Sequence, residues 1–418
     1  MKKISLPMAV LININIILGA GIFINPRPLT KFLGVWGFCS YILASLIVFP
    51  IVYSISNLAS VWPTAGGMYI YPKKYLNSFL GFVSGWGYFL GKTASPALLI
   101  HTFVTFFYNQ IYFFKIAPIL FWDSLFIFFL ISLNIFGVYI GGKIQYFFII
   151  LKAIPILVVI ILYLFFFNTN FFSNFNSINI QNLFHCLPSA IFVLLSFEMI
   201  CSIGHMIENP NKNLHATIFL SFFSVATIAT LFQFLIFGLV GTNLSNLSDP
   251  IDWTAKIIHN PILNIILNFL IFGSIIAGAF GSLTTNCWNL YKLAQDKHFP
   301  LSKYLTIKNK YNVPWTSLII EGILACLLLA ISIDLIPLQN MTVLGIGFAY
   351  LLNAFSAIKI EKKNYKIFSY IAIVSSLYII LLCFNNLMIY GISIAFSTIF
   401  IFGIIFKIIK NLNLKLHK

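Results

Sequence analysis

The chain has 418 residues, 60% of them hydrophobic and only 8% charged. A soluble domain carries about 25% charge, so an ordinary water-soluble fold is excluded, and apolar runs of about twenty residues exclude a β-barrel, whose strands alternate over about ten. The net charge of +16 does not mark a nucleic-acid partner, because the basic residues gather at the chain ends and in alternate loops, as in a polytopic membrane protein.

The pattern predicts an all-α protein with twelve transmembrane helices, at 6–32, 36–60, 79–108, 118–138, 144–167, 186–207, 214–240, 262–292, 315–333, 339–358, 367–385 and 387–408. The opening Met1-Lys2-Lys3 and its apolar run are shaped like a signal peptide. The run passes any cleavage point, so it is read as a retained first helix.

Span 1 contains Gly19-Ala20-Gly21-Ile22-Phe23. An uninterrupted membrane helix has no need of two central glycines, and non-helical backbone at bilayer depth survives only where it lines a cavity or is covered by protein. One reading is a binding site, with N–H groups at a half-helix start facing an anion. The other is a close helix crossing through small residues.

Spans 3 and 5 carry intramembrane lysines, Lys92 and Lys152. Inserting such a lysine costs about 2.5–3.5 kcal/mol, so it has a task or a partner. Lys92 is expected to pair with an acid or line the pathway; Lys152 either serves the site or snorkels to the interface. Span 6 repeats the interruption five spans after the first, at Ser196-Phe197-Glu198 and Ser202-Ile203-Gly204. Corresponding breaks in two halves of a transporter point to a midplane site. Glu198 must be protonated or bonded to a buried partner there, as a proton-moving group or as a packing acid. Glu321 in span 9 is a further intramembrane acid without a motif, whereas Asp123 and Asp334 lie near span ends and are expected to be exposed.

One side of the membrane takes Lys2, Lys3, Lys73, Lys74, Lys143, Lys212, the 292–310 and 359–366 clusters and the tail from Lys407; the other takes Lys115 and Lys256. Both termini are therefore expected in the cytoplasm, with the protein in the cytoplasmic (inner) membrane. Asn243-Leu244-Ser245 and Asn246-Leu247-Ser248 match glycosylation acceptors and are read as chance matches in an Asn-rich chain. The six cysteines and seven histidines show no metal-ligand spacing, so no metal and no cofactor are expected. Neither GxSxG nor HExxH occurs, nor a Walker motif, nor a potassium-filter sequence. A membrane-embedded enzyme, an ATP-driven pump and a channel are accordingly disfavoured.

The chain resembles the amino acid–polyamine–organocation superfamily, in particular its bacterial amino-acid permeases and exchangers. Five elements carry the resemblance, in order. They are the first-helix Gly19 to Phe23, Pro63-Thr64-Ala65-Gly66-Gly67-Met68-Tyr69, Gly85-Trp86-Gly87-Tyr88, Glu198 with Asn209-Pro210, and Ala294-Gln295-Asp296-Lys297-His298-Phe299-Pro300. There are departures. The family glycine before the helix-6 aromatic–acid pair is Ser196, and the Arg and Gly of the loop after helix 8 are Gln295 and Lys297.

The resemblance implies a transporter core at 1–358, made of two inverted five-helix repeats (about 1–167 and 186–358) with helices 1 and 6 broken. Two peripheral helices and a basic tail would fill 359–418. It implies secondary transport of an amino acid by alternating access, as proton symporter or exchanger, without enzymatic activity. A zwitterion's carboxylate would take N–H groups around Gly19, Ala20, Gly21 and Ile22. Its ammonium would take the carbonyls of Ile17 and Leu18 and those near Phe192, Ser196 and Phe197. Such a scheme uses main-chain groups, so glycine matters for close approach. Tyr88 and Phe192 are candidate pocket walls. Lys152, in Leu151-Lys152-Ala153-Ile154-Pro155, resembles the fifth-helix lysine that stands in relatives where sodium sits in sodium-coupled cousins. Apolar and aromatic walls favour a neutral or aromatic amino acid. The expected partners are that substrate, the lipid bilayer and a coupling proton; the oligomeric state is open.

Overall fold

The computed structural model describes residues 3–19, 21–136, 138–172, 179–247, 254, 258, 260–299, 302–331, 335–362, 365–387, 400–401 and 403–405. The expectations for Ala20, Lys256, Pro300, Asp334 and most of the span at 387–408 fall outside these residues.

The described chain is helical throughout, apart from turns and one isolated bridge between Ile4 and Ile207. In order the helices are α1 (Leu6–Ile17), α2 (Gly21–Ile24), α3 (Pro26–Leu33), α4 (Gly37–Val61), α5 (Gly67–Tyr75), α6 (Ser78–Gln110), α7 (Ile119–Asn134) and α8 (Val138–Phe166). There follow α9 (Ile180–Leu194), α10 (Pro210–Val240), α11 (Pro261–Gln295), α12 (Ser302–Leu305), α13 (Trp315–Ile331), α14 (Leu335–Ala357) and α15 (Lys366–Leu387). Among the described residues, six helical stretches are long and apolar enough to cross a membrane, Ile180–Met206 and Pro261–Gln295 among them, and four shorter apolar helices accompany them.

Local chemistry sets the ends. The Asn77, Asn179 and Asn260 side chains accept from the first-turn N–H groups of α6, α9 and α11. Gly34 closes α3 with φ 55°, a backbone that suits glycine. Two interruptions stand out. The first lies at Leu18 and Gly19, between α1 and α2. The second follows α9: residues 195–198 turn, and the chain resumes as a 3-10 segment, Met199–Met206.

The helices enclose a core whose outer apolar side chains, such as Leu164, Phe165 and Ile265, stay exposed, as lipid-facing residues do. Four intramembrane charges, Lys92, Lys152, Glu198 and Glu321, are buried in the interior. Asp123, expected to be exposed near a span end, is buried as well, because His101 of α6 pairs with it at 2.8 Å. Where α6 crosses α14 the backbones nearly touch. A Cβ added at Gly345 would stand 2.9 Å from the Gly91 Cα.

A candidate site at two interrupted helices

The two interruptions lie against each other. A Cβ added at Gly21 would come within 2.5 Å of Val193 Cγ2 and 3.7 Å of Phe192 Cδ1, both on α9. Asn13 of α1 donates to the Phe197 carbonyl at 2.9 Å and to Ser221 Oγ of α10 at 2.6 Å. Beyond the break, Asn25 donates to the Ser189 carbonyl at 2.8 Å. Gly19 faces α11, where a Cβ added at Gly278 would stand 3.7 Å from the Gly19 Cα. The glycines of the first interruption therefore sit in contact with α9 and α11.

Backbone groups freed at the first break find specific acceptors and donors. The Gly19 N–H bonds to the Ile17 carbonyl at 2.7 Å. The Lys152 ammonium of α8 donates to the Asn15 carbonyl at 2.8 Å and to the Leu18 carbonyl. Lys152 is 1% exposed, so its charge is held against the break rather than at the surface of the molecule. Asn15 turns its own amide to the Ala277 carbonyl of α11 at 3.3 Å. Ile17, Leu18 and Ile22 are buried around this point.

The second break is pinned by side chains of α6 and α14. Glu198 pairs with Lys92 at 2.9 Å, both wholly buried. Its Oε1 also accepts from Tyr88 at 2.9 Å and its Oε2 from Tyr350 at 2.5 Å. Lys92 donates in addition to Ser196 Oγ at 2.8 Å. Ser196 has φ 83°, the left-handed backbone that costs a non-glycine residue about 1–2 kcal/mol. The family glycine missing here is thus one whose conformation calls for it, and the serine left in its place is tethered by Lys92. Phe197 stacks on Tyr350, ring centres 5.6 Å apart.

Of the expected site residues, the structure brings together Ile17, Leu18, Gly19, Gly21, Ile22 and Lys152 at one break. At the other it brings Ser196, Phe197, Glu198 and Tyr88, with half-buried Phe192 between Gly21 and the second break. Lys92 and Glu198 meet as an acid–base pair. Sequence reasoning did not single out Tyr350, Asn13 or Asn15. The asparagines carried a signal, being amides inside an apolar span; Tyr350 carried none in a chain with 19 tyrosines.

A separate cluster joins two of the quoted motifs at one end of the bundle. Tyr69, from the motif before α6, donates to Asp296 Oδ2 at 2.5 Å. Lys73 of α5 binds the same oxygen at 2.5 Å, and His298 Nε2 lies 2.7 Å from the Tyr69 hydroxyl. Burial alone would raise the Asp296 carboxyl, but hydrogen bonds from Lys73 and Tyr69 and the charges of Lys292 and Lys73 outweigh it and hold it below its ordinary value. Burial, then the bond to Asp296 and its charge, push the Tyr69 phenol up. Lys297, beside them, has φ 57°, so the second missing family glycine also stands at a left-handed position. Among the described residues no group of three or more His, Cys, Asp or Glu could hold a metal ion.

Comparison with known proteins gives the site its context. The amino acid permease family profile matches residues 4–415. The chain is 24% identical to the serine/threonine exchanger SteT of Bacillus subtilis over 383 residues, covering 87% of this chain and 84% of SteT. It is 26% identical to the aromatic amino acid transport protein AroP of Escherichia coli K12 over 149 residues, 34% of this chain and 31% of AroP. An uncharacterized transporter of Mycobacterium tuberculosis is 33% identical over 101 residues, 24% of this chain and 23% of the relative.

Proposed function

The chain belongs to the amino acid permease family, and from that footing we propose that it carries a neutral amino acid across the cytoplasmic membrane by alternating access, as proton symporter or exchanger. Amino-acid transport by a multi-pass membrane protein, rather than enzymatic catalysis, follows from the family itself. The proposed architecture is a core at 1–358 of two inverted repeats, about 1–167 and 186–358, within twelve spans. The helices at 367–385 and 387–408 lie outside it, and both termini are cytoplasmic.

The observation that carries the reading is the contact between the two interruptions, Gly21 against Val193 and Asn13 against the Phe197 carbonyl. A zwitterion bound there meets main-chain groups of both halves at once. The carboxylate takes N–H groups at Ala20, Gly21 and Ile22; Gly21 opens α2, and the first donors of a helix lack intrahelical partners. The ammonium takes the carbonyls of Ile17, Leu18, Phe192 and Ser196. Ile17 and Leu18 already accept from Gly19 and Lys152, and each carbonyl keeps a second lone pair. Tyr88 spends its hydroxyl proton on Glu198, so it meets substrate through its ring. Lys152 places an ammonium against the break, in the role of a bound cation, and its proton would leave and return with the cycle. The names of the relatives, serine/threonine and aromatic transporters, support a neutral side chain on the substrate.

Purified protein in liposomes tests this. Labelled serine, threonine and phenylalanine are supplied with and without a pH gradient, and with and without internal substrate. Uptake of at least one is expected. Accumulation on the gradient alone marks symport, and uptake only against internal substrate marks exchange. No movement of any amino acid overturns the proposal. Undiminished gradient-driven uptake by Lys152→Ala would remove Lys152 from the coupling.

A further inference from the structure

We propose that Glu321 is a proton-binding site, wired to the second helix interruption by a chain of amides. The inference rests on the transport reading above and adds to it a group that reading does not use.

Glu321 lies on α13 and is 0% exposed. Its Oε1 accepts from Asn286 Nδ2 at 3.0 Å, while among the described residues its Oε2 has no hydrogen-bond partner. Among the described residues its carboxyl forms no ion pair. Glu198 is the contrast: an ammonium and two hydroxyls fill both of its oxygens. An ionised carboxylate stripped of water and of any cation is far too costly to persist, so a buried acid in this state holds a proton. Oε2, the oxygen left without a donor, is where that proton sits.

The surroundings select a proton over a metal ion. Asn286 turns its NH2 group inward, donating to the Phe89 carbonyl at 3.2 Å as well as to Glu321. A carbonyl accepts only, which fixes the amide orientation, and a donor at that point repels a cation. The other groups facing Glu321 add no charge. The Cys287 thiol of α11 donates to the Thr284 carbonyl, and Thr93 of α6 donates to the Phe89 carbonyl. Ile131 of α7 fills the space beside Gly322. Among the described residues, the charged groups of the helices packed on α13 are engaged or turned away. Lys92 of α6 holds Ser196 and Glu198, and His101 of α6 pairs with Asp123 of α7. Lys292 of α11 bonds Gln295, and Lys303 of α12 is exposed.

From Glu321 a polarised chain runs to the interruption. Ser202 Oγ, in the Met199–Met206 segment, donates to Asn289 Oδ1 at 2.9 Å. Asn289 Nδ2 donates to Asn286 Oδ1 at 3.1 Å, and Asn286 donates to Glu321. Every donor in the chain points toward the carboxyl. A change of charge at Glu321 therefore alters each bond in the same sense, down to the broken helix. One O–H bond forms at Oε2 when the proton arrives and breaks when it leaves on the other side; no electrons are transferred.

The test compares two activities of the full chain in liposomes, using whichever of labelled serine, threonine or phenylalanine the wild type carries. One is accumulation driven by a pH gradient; the other is counterflow exchange at equal pH. Glu321→Gln mimics the protonated acid permanently. It is expected to keep exchange and to lose gradient stimulation by about tenfold or more, the usual size of a coupling between sites. Glu321→Asp keeps a carboxyl and is expected to retain stimulation with a displaced pH profile. If Glu321→Gln retains stimulation, or loses both activities in proportion, the assignment is overturned. If the Gln variant does not elute as folded protein, an Asp variant with an undisplaced pH profile overturns it equally. Stimulation of the wild type by a sodium gradient in place of a pH gradient also overturns it. A wild type that exchanges amino acids without any response to pH removes the proton site and leaves transport standing. A wild type that moves no amino acid removes both.

Discussion

Lys92 on α6 and Glu198 in the interruption after α9 form a wholly buried ion pair at 2.9 Å. The same ammonium reaches Ser196 Oγ, so one side chain from a continuous helix holds two of the residues at which another helix breaks. Charges out of water must be paired and fully bonded, and this pair meets both conditions through Tyr88 and Tyr350.

Removing one partner should therefore be costly. Lys92→Met leaves Glu198 with two hydroxyl donors and no cation, and is expected to destabilise the protein by about 3–5 kcal/mol. Lys92→Met with Glu198→Gln should recover much of the loss, because no uncompensated charge remains. Thermal unfolding of the two variants in detergent measures the difference. Equal melting temperatures for wild type and Lys92→Met would show that the pair does not anchor the break.

Gly21 has no room for a side chain, since Val193 occupies the space a Cβ would need. Gly21→Val is expected to abolish uptake while the protein still inserts, overpacking costing about 1–3 kcal/mol. Gly19→Ala should be far milder: its added Cβ would meet Leu99 Cδ2 at 3.8 Å, an ordinary contact. Uptake per molecule in the membrane fraction separates the two, and normal uptake by Gly21→Val would contradict the close approach of α2 and α9.

Ser196 and Lys297 both hold left-handed backbone. Lys297→Gly should stabilise the protein by about 1 kcal/mol by removing that strain. Ser196→Gly relieves the same kind of strain but forfeits the bond from Lys92, so its net gain should be smaller. Melting curves of the two single variants give the order, and a loss of stability in Lys297→Gly would show that its side chain outweighs the strain.

Asp296 imposes a pH dependence. Its carboxyl is held below its ordinary value in the folded state, so it binds protons more readily when unfolded. The stability it contributes is thus present above the unfolded value, about 3.9, and is lost as pH falls through the lower folded value. Asp296→Asn should flatten the acid limb of a melting-temperature profile taken from about pH 6 down to pH 3. An unchanged acid limb would show that the Tyr69–Asp296–Lys73 cluster carries no linkage.

Much of this was legible before any coordinates. The intramembrane charges Lys92, Lys152, Glu198 and Glu321 were visible because an apolar span makes each one conspicuous. Both interruptions were visible because Gly19, Gly21 and Ser196 to Gly204 break the composition a plain helix would have. The edges were less so: α3 runs to Leu33 and α9 begins at Ile180, outside the predicted span limits, because Gly34 closes the one and the Asn179 cap opens the other, not hydropathy.

Pairing was not legible at all. By itself the sequence determined that the chain is a bundle of membrane helices with two flawed ones and a few buried charges, since hydropathy and residue chemistry are local properties. Only the tertiary structure decided that Lys92 answers Glu198 across 106 residues, that Lys152 caps the Leu18 carbonyl, and that Glu321 meets an amide but, among the described residues, no cation. The reason is physical. In a low-dielectric interior the fate of a charge depends on which group stands about 3 Å away, and only the packing of distant helices sets that neighbour.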